Sequence, residues 1–281
     1  MTWNVNDKLL INGCSFTWGQ GLEDRTKTSW PSLIKNSGKV KGTLDLSSPG
    51  KDNFHILNEV YHYLLLSELE DSPVTKVTHV IIQTTDFFRS LIYKKNFSGY
   101  IKYDRYTTQL RNRHFFTKLN NWNFDAVHEL GAFLSVPVNS PVEQEFVNVI
   151  IPVGDLSQSY NKMLSIILLK SIDSLCKKLN IKLCVIPYYG LNEWADEKLF
   201  QSIDKDIFLV DSMDKVDGLY QELLDLGFKQ TDNFHFDEQA HKWHVDAISN
   251  FFHNGTKVIL SKTTKSKDSN IPHFDYTDER D

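Results

Sequence analysis

Lys8-Leu9-Leu10-Ile11-Asn12-Gly13-Cys14-Ser15-Phe16-Thr17-Trp18-Gly19 is the stretch that decides the fold. Its apolar run is too short for a globular helix and stops at a glycine. That pattern reads as a buried strand, over Lys8 to Asn12, running into a tight turn between Gly13 and Gly19. Downstream, strands and helices alternate. Ser29 caps a helix with Pro31 in its first turn, and Gly38 stops it. Thr43 to Leu46 reads as a second strand. Asp52 or Asn53 caps a helix through about Glu70, with Ile56, Leu57, Val60, Tyr63 and Leu64 at helical spacing. Val77 to Gln83 is a β-branched run, as expected of a central strand covered on both faces. Further helices are predicted over Tyr160 to Leu179, Val216 to Leu226 and Asp237 to Phe252. Further strands are predicted over Ile181 to Pro187 and Asp206 to Val210. Alternation of this kind predicts an α/β chain with a mostly parallel sheet flanked by helices, joined by right-handed connections.

The bulk composition is that of a globular protein. The chain has 281 residues, 41% hydrophobic and 24% charged, enough for a sizeable core without disulfides or metal staples. A formal net charge of −5 offers no basic surface for nucleic acid. No apolar run reaches the ~18 residues of a membrane span, so no membrane partner is expected. Residues 1–8 lack the basic and apolar regions of a signal peptide, so synthesis in a cytoplasm is expected. Three cysteines, Cys14, Cys176 and Cys184, form an odd, sparse set without zinc-site spacing.

Two segments break the pattern. Residues 90–155 are rich in aromatics, among them Tyr93, Tyr100, Tyr103, Phe115, Phe116 and Trp122, interleaved with Arg and Lys. They read as an insertion that packs a small covering subdomain or walls a substrate cleft. Residues 261–281 form a polar, charged tail, either a flexible end or an arm that orders on a partner. The domain reading is therefore a single domain over 1–260 with this insertion, followed by the tail.

The chemistry gathers at the two ends. Ser15 follows the first strand, at the carboxyl edge where open α/β sheets place their ligands. Far downstream stand Asp232-Asn233-Phe234-His235 and then His241. A serine hydroxyl is a poor nucleophile until a histidine takes its proton and a carboxylate orients the imidazole. Ser15, His235 and Asp232 supply those three roles. Other arrangements stay open. Cys14 adjoins Ser15 and is a second candidate nucleophile. His235, His241 and His244 with Asp232 are a candidate metal set, although the spacing matches no zinc signature, and His241 also suits packing at the start of its helix. Arg89 can clamp a substrate carboxylate or pair with a local acid.

Gly13-Cys14-Ser15-Phe16-Thr17-Trp18-Gly19 resembles the first block, Gly-Asp-Ser-x-Thr-x-Gly, of the SGNH or GDSL-like hydrolases. Asp232 to His235 with His241 resembles the last block, Asp-x-x-His-Pro-x-x-x-Gly-His. Leu46 to Asn53 (LSSPGKDN) is similar to the second block, and Val80 to Asp86 stands where the third, Gly-x-Asn-Asp, is expected. The resemblance implies a flavodoxin-like three-layer α/β/α fold and an esterase or deacylase acting on acyl esters, often acetyl groups on glycans, without metal or organic cofactor. It implies an oxyanion site made by the backbone N–H groups of Ser15 and Gly50.

Departures concentrate in the third block, where Gln83 replaces the Gly and Thr85 the Asn. That Asn is the family's side-chain oxyanion donor, and losing one such donor costs on the order of 10²–10³ in rate. Thr85 can offer its hydroxyl there, with Gln83 and Asn53 as nearby polar groups for donor or substrate-binding roles. In the last block Phe236 and Ala240 replace Pro and Gly. Chains with Asn-Gly-Cys-Ser-Phe-Thr resemble proteins of bacteriophage genomes. The altered third block and the long aromatic insertion point to a rival role: a catalytically weak or inactive structural or glycan-binding relative, for example a phage virion component, with assembly through the insertion or the tail.

Overall fold

The structure is a computed structural model, and it describes residues 3–49, 51–69, 76–85, 90–93, 100–103, 162–189, 191, 194, 198–212, 218–231 and 235–260. Strand β1 (Lys8–Asn12) sits between β2 (Gly42–Asp45) and β3 (His79–Thr84), and β6 (Lys182–Pro187) lies beyond β3. All pairings in this four-stranded sheet are parallel, with Leu10 opposite Leu44 on one side and Val80 on the other. Val80 in turn faces Leu183, so the register is carried across the sheet. Every residue of β3 is buried. That is why the sequence there is a continuous β-branched run and not an alternation. Leu10, Ile11, Val80, Ile81 and Ile82 have no exposed surface, each side chain contributing about 1.5–3 kcal/mol of burial.

Helices cover both faces. Between β1 and β2 run the short α1 (Ser15–Trp18) and α2 (Arg25–Thr28), then α3 (Trp30–Asn36). Between β2 and β3 runs α4 (Asn53–Leu69), packed on β1 and β3. The first crossover steps one way along the sheet and the second steps back, so right-handed connections put α3 and α4 on opposite faces. Helix α5, over residues 162–178, precedes β6 and buries Ile166, Leu169, Ile172 and Cys176. After β6 come α6 (Lys198–Gln201), α7 (Gly218–Asp225) and α8 (Glu238–Asn254). Helix α8 packs against α3 and so closes that face of the sheet.

The strand expected over Asp206 to Val210 is corrected. Lys205–Ile207 is a 3-10 turn, and only Phe208 and Val210 pair, as single parallel bridges to Val185 and Val258. Asp204 caps that turn by accepting the N–H of Asp206, and this local bond outcompetes extension of the strand. The 90–155 stretch opens with an antiparallel hairpin, β4 (Ser90–Tyr93) with β5 (Tyr100–Tyr103), forming its own two-stranded sheet. The rest of that stretch and the tail lie outside the described residues. Among the described residues no helix is long and apolar enough to cross a membrane.

Candidate active site

Where β1 connects one way and β3 the other, the carboxyl edge of the sheet has its topological switch point. Doubly wound α/β folds place their ligands at such a switch point. The turn after β1 is shaped by close approach. A Cβ on Gly13 would sit 1.9 Å from Thr17 Oγ1 and 3.2 Å from Gln83 Cβ, so no larger residue fits without displacing buried groups. The expected tight turn is a single helical turn, α1. Ser15 is its first residue, 4% exposed. Gly19, at φ 79°, ends it by donating its N–H to Ser15 O. Cys14, the other candidate nucleophile, has no exposed surface.

Asn12 anchors the approach to this turn. Its Oδ1 accepts the Gly13 N–H at 2.9 Å and Lys51 Nζ at 3.1 Å. Its Nδ2 donates to Ile56 O at 2.8 Å and Glu59 Oε2 at 3.0 Å. Lys51 Nζ also donates to Leu46 O and to Glu59. The segment after β2 is tied to the same turn, Ser48 donating its N–H to Gly13 O at 3.2 Å. Gly50 lies outside the described residues.

At the end of β3, Thr17 Oγ1 donates to Gln83 Oε1. Asn53 and Thr85 form a reciprocal pair. The Thr85 N–H reaches Asn53 Oδ1 at 2.8 Å, and Asn53 Nδ2 reaches Thr85 O at 2.9 Å. Asn53 therefore fixes the backbone just after β3 with both ends of its amide. Gln83 Nε2 and Thr85 Oγ1 are buried and have no hydrogen-bond partner among the described residues. Arg89 lies outside them.

The last motif arrives on a loop folded back on itself. Gln230 and Phe236 form an antiparallel bridge, and His235 O accepts both the N–H and the Oγ1 of Thr231, at 2.7 and 3.1 Å. His235 is 6% exposed, and its ring lies 4.8 Å from the Phe16 ring. The structure thus brings the residue after Ser15 against the candidate base. Asp232 lies outside the described residues.

Helix α8 follows, capped by Asp237, whose Oδ1 accepts from the N–H groups of Gln239 and Ala240. His241 does pack at the helix start, as one of its readings has it. Its Nδ1 accepts the N–H of Trp30 at 3.2 Å, so it caps α3, whose first amide would otherwise be orphaned. Burial, reinforced by His244 and His235, lowers its pKa to about 3. His244 Nδ1 bonds Ala240 O at 2.7 Å, and burial lowers its pKa to about 4. Both rings are held neutral. Among the described residues no group of three or more His, Cys, Asp or Glu side chains is arranged to hold a metal ion.

Sequence reasoning missed an aromatic cluster. Phe16 lies 4.2 Å from Tyr188, 6.0 Å from Tyr189 and 6.1 Å from Tyr220, centroid to centroid. Tyr189 and Tyr220 stack at 5.4 Å with both rings half-buried. Burial raises the Tyr188 phenol well above its ordinary value. The usable signal was position: two tyrosines directly after a buried strand stand at the ligand edge of the sheet.

The chain is thus a doubly wound α/β protein with polar and aromatic side chains gathered at its switch point. Neither a family model nor a curated protein sequence matches it. Among solved structures it is similar to a TesA, with a TM-score of 0.42 and 10% identity over 89% of this chain and 100% of the other. It is also similar to the psychrotrophic esterase EstA from Pseudoalteromonas sp., with a TM-score of 0.39 and 13% identity over 87% and 96%. A third is phospholipase A1 from Streptomyces albidoflavus NA297, with a TM-score of 0.26 and 8% identity over 87% and 99%. At these scores and identities the likenesses assign neither a family nor an activity to this chain.

Proposed function

We propose that the protein is a serine-dependent esterase or deacetylase of the SGNH type, acting on acyl esters such as O-acetylated glycans. The observation that carries this reading is the contact of Phe16 with His235. It joins the serine turn to the histidine loop at the switch point where such folds do their chemistry. Ser15 Oγ attacks the ester carbonyl while His235 takes its proton, with Asp232 orienting the imidazole. The backbone N–H groups of Ser15 and Gly50, with the Thr85 hydroxyl, hold the developing oxyanion. His235 returns the proton to the leaving alcohol, and a water activated by the same base then releases the acid. The stacked Tyr189 and Tyr220 beside Phe16 suit a substrate with a flat apolar face, such as a pyranose ring.

The test compares wild type with Ser15→Ala on p-nitrophenyl acetate and on acetylated glycans. The expected loss is about 10⁴-fold or more in kcat. Equal rates would rule out Ser15 as nucleophile.

One observation favours a second reading. Gln83 and Thr85 are 0% and 1% exposed, so the side-chain donors at the end of β3 are buried away from solvent. A chain in this state can keep the fold and bind acetylated glycans with little turnover, as a phage particle component assembled through residues 90–155 or 261–281. Glycan binding that survives in Ser15→Ala, without wild-type hydrolysis, is the outcome that selects it.

A further inference from the structure

We propose that Lys51 is a positioning residue: through Asn12 and Leu46 it fixes the spacing between the two backbone segments that supply the oxyanion donors. The inference rests on the reading above, in which Ser15 and Gly50 donate. Lys51 follows Gly50 in the chain, and Asn12 stands one residue before Gly13. Lys51 is 9% exposed. Its ammonium is held by Asn12 Oδ1 at 3.1 Å, by Leu46 O and by Glu59. A buried ammonium needs such partners, and an apolar residue of similar size would pack there at no electrostatic cost. What the cation adds is geometry.

Asn12 uses its whole hydrogen-bonding capacity at this point, two donors on its oxygen and two acceptors for its amide. One of those donors is the Gly13 N–H, so the peptide plane leading to Ser15 is set by the same oxygen that holds Lys51. Leu46 O, the third partner of Lys51, belongs to the segment that also reaches Gly13 O through Ser48. The cross-link therefore ties the turn that carries Ser15 to the segment that leads from β2 towards Gly50. Glu59, its side chain 41% exposed, keeps its charge partly hydrated, so the pair is not a sealed one. Displacing one donor by about 1 Å is enough to cost on the order of 10² in rate.

The test uses the full-length chain. Lys51→Met should lower kcat about 10- to 100-fold while KM stays within about twofold. Hydrogen exchange gives a readout independent of hydrolysis: the Gly13 and Ser48 amides should lose protection, while Val245 and Ile248 in α8 keep theirs. Wild-type kinetics in Lys51→Met, unchanged exchange at Gly13 and Ser48, or a uniform loss of protection reaching α8 would each overturn the proposal. If wild type shows no Ser15-dependent hydrolysis, the functional reading has failed, and the exchange measurement still decides whether Lys51 holds the two segments.

Discussion

A single missing Cβ governs the turn that presents Ser15. Thr17 has no exposed surface, and its hydroxyl is bonded to Gln83, so it cannot swing away from a side chain added at Gly13. Gly13→Ala should destabilise the protein by about 1–3 kcal/mol through overpacking and lower activity further by tilting α1. Thr17→Ala removes the nearer clash, at 1.9 Å, but leaves that with Thr17 Cβ at 2.8 Å. The double variant should therefore recover only part of the stability, and a double-mutant cycle in urea reads the coupling. At this scale the sequence disclosed the candidates, Ser15 and His235, because the residue types that can serve as nucleophile and base are legible as letters. It did not disclose Lys51, which reads as an ordinary turn residue after Pro49-Gly50. Its role arises from Asn12 and Glu59, which reach it only once β1 and α4 are packed. Nor did it disclose that His241 would cap a distant helix, since that depends on where α3 begins.

The elements themselves were largely written in local chemistry. β1 starts and stops where the apolar run does, α3 begins after Ser29, and α7 is followed by Gly227 at φ 81°. The Asp206 to Val210 strand failed because only Phe208 and Val210 are bridged, each singly, while the capped 3-10 turn takes Asp206 and Ile207. Helix α8 couples stability to the site. Asp237 accepts two of its orphan amides, and the Asp237 N–H bonds Lys229 O at 2.8 Å, closing the loop that carries His235. Asp237→Ala should cost about 1 kcal/mol, a fall of about 2–4 °C in Tm for a chain of this size. It should also raise hydrogen exchange at the Thr231 amide, which bonds His235 O, whereas a cap acting only on α8 would leave that amide unchanged.

Across the whole molecule, the buried histidines set an acid limit. His79, His241 and His244 have folded pKa values lowered to about 4, 3 and 4, chiefly by burial, from an ordinary 6.5. Between pH 6.5 and about 4 the unfolded chain binds more protons than the folded one, so stability falls as pH falls through that window. Each fully neutral ring contributes on the order of 3 kcal/mol to the loss across its window. His244→Leu should flatten the slope, since the ring it replaces faces Tyr188, Trp243 and His241. Urea unfolding at pH 7 and pH 4.5 measures it: wild type should lose clearly more stability than the variant. At this scale the mostly parallel sheet flanked by helices was legible because strands and helices alternate, and parallel strands need crossovers. The aromatic cluster was not, because Phe16, Tyr189 and Tyr220 come from three separate segments.

The bond from Trp30 N–H to His241, between residues 211 positions apart, has a consequence for the making of the protein. Ribosomes add about 5–20 residues per second. The serine turn, β2 and β3 therefore emerge many seconds before α8 does. Through that interval the first amide of α3 lacks its imidazole partner, and Phe16 lacks the ring of His235. In the proposed reading the nascent chain holds a nucleophile without a base, so activity switches on only when the His235 loop and α8 have docked.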